Sequence, residues 1–368
     1  MRLTCSTQLI DIFFTKNSME TYKVIGLMSG TSLDGLDIAY CIFNFQDSWQ
    51  YEIIKAQTLD YTPQLVDRLK VAHQTTALEL SGLHADLGIF WGNAVAQFVQ
   101  ENNFSPDFVA SHGHTIFHQP HKGFSLQIGN AAAMAAICRL PVIADFRSTD
   151  IAFGGQGAPL VPIGDQLLFW QYDCCLNLGG IANISFQENG KRFAYDVCFT
   201  NMILNELAQK IGYQYDKDGL IARNSKKNEA LIEKLNNLDY FQKPFPKSLG
   251  REDADQTIFP ILAQSALPIE EQLSSFTHHA AFQIAKSMKK HQKILATGGG
   301  AFNHFLIESI QSQLPNSQID LADKQLIGYK EALIFALLGV LRWKNQANAL
   351  CSVTGASQNS CGGAIYLY

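Results

Sequence analysis

One succession of elements occurs twice in this chain, and it narrows the possible folds more than any other feature. Residues 22–27 form an apolar, strand-like run. A turn, Ser29-Gly30-Thr31-Ser32-Leu33-Asp34-Gly35, follows it. Strand patterns then cover residues 37–45 and about 51–59, and apolar residues at helical spacing cover 63–72 and 76–101. Near Gln166 the succession restarts: a strand over 174–178, a Gly179-Gly180 turn, strands over 181–186 and 192–196, and a helix over about 201–211. The likeness is one of pattern, without sequence identity between the halves. In the first half, short buried strands are expected at 108–111 and 141–144, and Asn130 is placed to cap a helix running to Cys138. In the second, a strand over 293–297 ends in Gly298-Gly299-Gly300, and 329–343 reads as an apolar helix. Strands alternating with helices mean an α/β fold. A chain of 368 residues is long for one core. Two domains, residues 19–165 and 166–368, with a ligand between them are therefore expected.

Composition removes several classes of function. The formal net charge is −5, and the basic residues form only short clusters such as Lys286, Lys289, Lys290 and Lys293, which read as a solvated helix end. No nucleic-acid partner is expected. The eight cysteines, at 5, 41, 138, 174, 175, 198, 351 and 361, include no C-x-x-C pair. Several lie in apolar runs and read as buried reduced thiols of a cytoplasmic protein. The longest apolar run, 332–341, stops at Arg342 and is too short for a bilayer, so no membrane partner is expected. Residues 9–14 make a poor signal peptide because Asp11 interrupts them. Met19 is the expected native start, with residues 1–18 an upstream extension.

The chemistry lies in three glycine turns, each directly after a strand: Gly26-Leu27-Met28-Ser29-Gly30-Thr31-Ser32, Asn177-Leu178-Gly179-Gly180-Ile181-Ala182-Asn183 and Thr297-Gly298-Gly299-Gly300-Ala301-Phe302-Asn303. Glycine lets backbone N–H groups approach phosphate oxygens closely. One such turn is weak evidence because hairpins use glycine anyway. Three at strand ends are a stronger signal. Neither G-x-x-x-x-G-K-[ST] nor a helix-opening G-x-G-x-x-G is present.

The string Gly26-Leu27-Met28-Ser29-Gly30-Thr31-Ser32-Leu33-Asp34-Gly35-Leu36-Asp37 resembles the signature of the anhydro-N-acetylmuramic acid kinases. Ser111-His112-Gly113-His114-Thr115, Ala144-Asp145-Phe146-Arg147, residues 154–162, residues 177–183, Lys247-Ser248-Leu249-Gly250-Arg251-Glu252, Thr297-Gly298-Gly299-Gly300 and Lys330-Glu331-Ala332 resemble the same family in the same order. The resemblance implies two actin-like, ribonuclease H-like domains with ATP and Mg²⁺ in the cleft between them. It implies ATP contacts from Gly30, Thr31, Ser32, Leu33, Asp34, Gly35, Leu36 and Asp37, from Gly179 and Gly180, and from Gly298, Gly299 and Gly300. It also implies a small-molecule sugar as substrate and a homodimer.

The implied reaction opens a 1,6-anhydro sugar with water and phosphorylates O6, a step of cell-wall recycling. A carboxylate must activate the water, and fixed donors must steady the transferred group. Asp196 is the candidate base, expected at a strand end before a helix, where its alternative role is to cap that helix. The family carries D-T-G-P-G-N there, whereas this chain reads Asp196-Val197-Cys198-Phe199-Thr200-Asn201. The change bears on backbone path and sugar fit. Glu331 is the second catalytic candidate, its alternative role being to complement a helix dipole. Asp34 and Asp37 act through water on Mg²⁺ or simply stabilise their turn. His112, Arg147, Asp150, Asn201, Lys247 and Arg251 are the candidate substrate residues, the bland alternatives being loop packing and surface salt bridges. His112, His114, His118 and His121 do not complete a metal site, since no neighbouring acid or cysteine joins them. A kinase for another sugar, and an ATP-binding switch on the same fold, remain the alternatives.

Overall fold

The computed structural model describes residues 19–30 and 33–368. The expected upstream extension, residues 1–18, lies outside them, as do Thr31 and Ser32.

Two sheets carry the repeated pattern. In the first, β1 (Glu20–Ser29), β2 (Leu36–Phe45) and β3 (Trp49–Leu59) form an antiparallel meander. β4 (Phe108–Gln119) adds parallel to β1, and β6 (Val142–Ala144) adds parallel to β4. β5 (Phe124–Ile128) folds back on the outer part of β4. In the second sheet, β7 (Cys174–Leu178), β8 (Ile181–Glu188) and β9 (Lys191–Phe199) repeat the meander. β10 (Lys293–Thr297) and β11 (Gln318–Leu321) add in parallel beside β7. With the hairpin strand β5 and the returning C-terminal strand set aside, the first sheet runs β3-β2-β1-β4-β6 and the second β9-β8-β7-β10-β11, the same order. That order, with its second strand antiparallel, is the ribonuclease H-like unit of the actin-like fold, so the expected α/β class holds.

Helices supply the remaining layers. α1 (Ala77–Asn102) starts with a capping box between Thr76 and Glu79 and buries Leu83, Leu87, Trp91, Val95 and Phe98 at helical spacing. α2 (Ala131–Cys138) is capped by Asn130, whose Oδ1 accepts from the Ala133 N–H at 3.0 Å. α3 (Val161–Leu168) runs between the sheets and contains the expected division at residue 165. α4 (Asn201–Gln209) follows β9, and α5 (Ile269–Met288) covers the second sheet.

α6 (Lys324–Trp343) follows the last strand of the second sheet yet packs on the first. Residues 332–341 are buried on every side, which explains their unbroken apolar character. Gly26 is needed for this contact: a Cβ there would lie 2.0 Å from the Ala332 carbonyl oxygen. β12 (Ala364–Tyr366) then joins the edge of the first sheet, antiparallel to β6. The C-terminal segment thus straps the two halves together. Among the described residues no helix is long and apolar enough to cross a membrane.

Candidate active site

A cavity of about 810 Å³ opens between the sheets. His118, Gln156, Ala158 and Pro159 line it from the first half. Asn177, Gly179, Asp196, Lys247 and Gly298 line it from the second, and Lys330 and Glu331 from α6. A size of this order suits a small-molecule site between lobes.

Asp196 does not end its strand, because β9 continues three residues further. A bulge leaves Val197 unpaired, since Asn183 opposes Asp196 while Ala182 opposes Cys198. Bulges re-aim side chains beside sites, and here Asp196 lines the cavity. Its capping alternative fails: Thr200 is the N-cap of α4, and Asp196 Oδ2 accepts from the Leu249 N–H at 2.9 Å. Oδ1 has no hydrogen-bond partner among the described residues. Burial pushes the carboxyl above the usual range, and the Leu249 bond offsets part of this. The result is an anchored carboxylate with one free oxygen and raised basicity, which suits a general base.

The altered residues after Asp196 keep the backbone closed. The N–H groups of Thr200, Asn201 and Met202 donate to the carbonyls of Gly180, Gly179 and Gly180 at 2.9, 3.3 and 3.1 Å. Thr200 Oγ1 also donates to the Gly179 carbonyl, at 2.8 Å. The third turn packs on this one. Gly298 has φ +80°, and a Cβ there would lie 2.6 Å from Asn177 Oδ1 and 2.8 Å from the Leu178 carbonyl. Gly300 sits equally close to Leu178, whereas Gly299 faces open space. Asn201 Nδ2 reaches the Leu178 carbonyl at 3.4 Å. Asn201 is therefore held against the second turn and is not among the residues that line the cavity.

The first turn is built differently. Gly30 accepts from the Leu33 N–H at 3.4 Å, Leu33 has φ +62°, and Gly35 lies against the Leu59 carbonyl. Asp34 is exposed and Leu36 is buried. Asp37 Oδ1 accepts from Thr58 Oγ1 at 2.6 Å. Behind the turn, Tyr61 OH donates to Ser29 Oγ at 2.7 Å, leaving the Ser29 hydroxyl hydrogen for His114 Nδ1 at 2.8 Å. Tyr61 and His114 thereby fix the residue that opens the turn. The sequence offers no local sign of Tyr61, because only the tertiary fold brings it to Ser29.

Glu331 does not begin its helix. α6 starts seven residues earlier with Asp323 as cap, and it breaks at Tyr329 (φ −124°, ψ 16°) just before Lys330 and Glu331. Glu331 is solvent-accessible through the mouth of the cavity while protein crowds its carboxyl group. Burial, with Asp37 nearby, raises its pKa; Lys330 and Arg147 act in the opposite direction.

His112 and Arg147 form a pair. Arg147 Nη2 donates to His112 Nε2 at 2.8 Å, so the Nδ1–H of His112 donates to the Gly113 carbonyl, at 2.9 Å. Burial and the adjacent guanidinium push the imidazole down to about 3. Arg147 Nη1 donates to the Gly157 carbonyl at 2.6 Å, while its buried Nε has no partner among the described residues. Burial lowers the guanidinium to about 10. Lys247 lies over the Tyr240 ring at 4.5 Å and donates to the Tyr240 carbonyl at 3.2 Å.

Besides Asn201, two more candidate substrate residues are engaged away from the cavity lining. Asp150 is fully buried, with its oxygens taken by the Gly157 N–H at 2.8 Å and Thr354 Oγ1 at 2.7 Å, so it braces a loop. Arg251 is exposed, paired with Glu206 at 2.8 Å and Asp255 at 3.1 Å, and does not line the cavity.

A cluster the sequence reading missed lies in the cavity wall. Lys330 Nζ is 2.8 Å from Asp165 Oδ1, and Ser185 Oγ donates to Asp165 Oδ2 at 2.7 Å. Arg192 Nη2 stands 3.9 Å from the same Oδ2. Burial alone would lower Lys330, but Asp165 holds the ammonium above its ordinary value.

The family model described as anhydro-N-acetylmuramic acid kinase matches residues 22–368. The anhydro-N-acetylmuramic acid kinase of Vibrio cholerae is 36% identical over 365 residues, covering 93% of this chain and 97% of that one. Those of Pasteurella multocida and Francisella tularensis subsp. novicida are 35% and 34% identical, covering 94% and 95% of this chain and 97% and 100% of theirs. A family match over residues 22–368, and relatives of this identity that cover more than nine tenths of the chain, place it in the anhydro-N-acetylmuramic acid kinase family.

Proposed function

We propose that the protein is an ATP-dependent kinase that opens 1,6-anhydro-N-acetylmuramic acid and phosphorylates O6 in cell-wall recycling. Water attacks the anomeric carbon, the C1–O6 bond breaks, and O6 takes the γ-phosphoryl group. ATP, water and sugar give ADP, N-acetylmuramic acid 6-phosphate and a proton. The observation that carries this reading is the free Asp196 oxygen in a cavity that two glycine turns also line.

Asp196 takes the proton of the attacking water, and its raised pKa strengthens it as a base. Glu331 holds the sugar across the cavity. The N–H groups of Gly179, Gly180, Gly298, Gly299 and Gly300, with residues 30–37, receive the phosphates and nucleotide. These turns fit such a ligand because Gly299 is open where a side chain would intrude and Gly298 could not carry one. Mg²⁺, when bound, would neutralise charge on the triphosphate, and Asp34 and Asp37 would hold it through water. Lys247 and Arg147 offer positive charge to the substrate's carboxylate or phosphates, Arg147 with an Nε–H to spare. His112 orients Arg147.

The lobes are residues 19–165 with the returning segment from 324 onward, and residues 166–323. Their closure on both ligands would exclude bulk water. Small-angle scattering with and without ligands tests this closure, and also tests the homodimer that the family implies. The buried thiols Cys41, Cys174, Cys175 and Cys198 are free, as a reducing cytoplasm would keep them.

The deciding experiment is ADP release with Mg-ATP, with and without the anhydro sugar. Sugar-dependent release that falls by about 10²–10⁴-fold in Asp196→Asn is expected. Sugar-independent release by the wild type would point to a switch, and release with another sugar alone to the alternative kinase that residues 197–200 leave open.

A further inference from the structure

Lys330 and Glu331 are consecutive, yet their side chains have opposite tasks. Glu331 faces the cavity, and Lys330 is buried with about 6% of its surface accessible. The helix breaks at Tyr329, directly before the pair. The Lys330 ammonium then leaves α6 for the second half of the molecule. It meets Asp165 of α3 at 2.8 Å and Thr297 Oγ1 of β10 at 3.4 Å. Ser185 of β8 holds the second Asp165 oxygen, and Arg192 of β9 braces Ser185 through its carbonyl and hydroxyl at 3.0 and 2.6 Å. One carboxylate thus faces two cations, and Arg192 has other acceptors while Lys330 has no other charged one within ion-pair reach among the described residues.

We infer that Asp165 is a positioning residue for Glu331: by sequestering the Lys330 ammonium it keeps that cation from pairing with the neighbouring Glu331 carboxylate. This rests on the reading that Glu331 acts on the sugar. A buried ammonium without a partner is an uncompensated charge that is relieved by losing its proton or by pairing with another carboxylate within reach. With Asp165 neutralised, Glu331 and Asp196 are the carboxylates of the same cavity, and Glu331 is adjacent in the chain. Capture of Glu331 by Lys330 would turn its carboxylate from the substrate, whereas removing both charges of the Asp165–Lys330 pair leaves no cation to do so.

The test compares kcat and KM for sugar-dependent ADP release by the full chain in four forms: wild type, Asp165→Asn, the double variant Asp165→Asn with Lys330→Met, and Glu331→Gln. Thermal midpoints are recorded alongside. A displacement of about 1 Å can cost roughly 100-fold in rate. Asp165→Asn should therefore lose about 100-fold in kcat with the KM for ATP nearly unchanged, and the double variant should recover about tenfold or more. A merely structural Asp165–Lys330 pair would make kcat follow the thermal midpoint in both variants, with no loss of kcat beyond the loss of folded protein. That result, or wild-type kcat in Asp165→Asn, would overturn the inference. If Asp165→Asn is too unstable to assay, Lys330→Met alone decides: kcat within about tenfold of wild type supports sequestration, and a 100-fold loss overturns it. Full activity in Glu331→Gln would instead sink the assignment of Glu331 itself, whatever the Asp165 variants do.

Discussion

The first and second glycine turns occupy equivalent places in the two sheets, and they are held by different kinds of bond. Side chains fix the first from behind, Tyr61 to Ser29 to His114. Backbone fixes the second, with the carbonyls of Gly179 and Gly180 accepting three consecutive N–H groups from the start of α4. A turn held by backbone tolerates new side chains nearby, because every residue other than proline brings the same N–H. This explains how Val197-Cys198-Phe199-Thr200 can replace the family's glycines and proline without opening the second turn. The first turn has no such freedom, since its support depends on particular hydroxyl and imidazole groups.

The first half buries His112 and His114 and the second His279, and acid should produce the largest effect on both. Burial, with Arg147 adding to it at His112, lowers His112 and His279 to about 3. An unfolded histidine binds its proton near pH 6.5, so the unfolded state holds more protons than the folded one between 6.5 and 3. The stability contribution is complete above 6.5 and is lost as pH falls toward 3. Each histidine can cost roughly 4 kcal/mol at the end of that window. The thermal midpoint should fall through it, and His279→Gln, remote from the cavity, should flatten the fall without altering sugar-dependent kcat. An unchanged acid limb would show that the second half does not feel its histidine.

Next in size is a glycine contrast. Gly298→Ala places a methyl group against the Leu178 backbone at positive φ and should cost about 1–3 kcal/mol of stability with a raised KM for ATP. Gly180→Ala meets nothing nearer than 3.6 Å and should change the midpoint little. Equal midpoints for the two would mean that the second and third turns are not packed as described.

A third contrast, which ends on the smallest expected effect, separates the two turns directly. Tyr61→Phe removes the donor to Ser29 and should cost about 1–3 kcal/mol. Thr200→Val removes one hydroxyl bond and leaves all three N–H bonds, costing about 0.5–1.5 kcal/mol. Paired urea titrations measure both. A larger loss in Thr200→Val would break the distinction between side-chain and backbone support.

Much of this was legible in the chain. Strand and helix periods mark both meanders, Asn130 marks a cap, and Lys293 to Thr297 marks a strand with the bounds observed. Asp196, placed before a helix, and Glu331, leading an apolar run, stand out as catalytic carboxylates through the family resemblance, since local pattern alone left a cap or helix-dipole role open for each. Asp165 and Tyr61 did not stand out, and Lys330 did so only within the family stretch Lys330-Glu331-Ala332, because a buried ion pair and a buried hydroxyl bond join residues 165 and 32 positions apart and leave no local pattern. Asp150 and Arg251 could not be told from ligand contacts, because the partners that occupy them come from the fold.

Local periodicity and turn chemistry depend on near neighbours in the chain, so the sequence by itself determined the doubled α/β pattern, the three glycine turns and the family. Which half the last helix packs against, how a bulge aims Asp196, and which carboxylate is free to act depend on contacts between distant segments. Packing fixes those only once the core has closed, and the tertiary structure alone decided them.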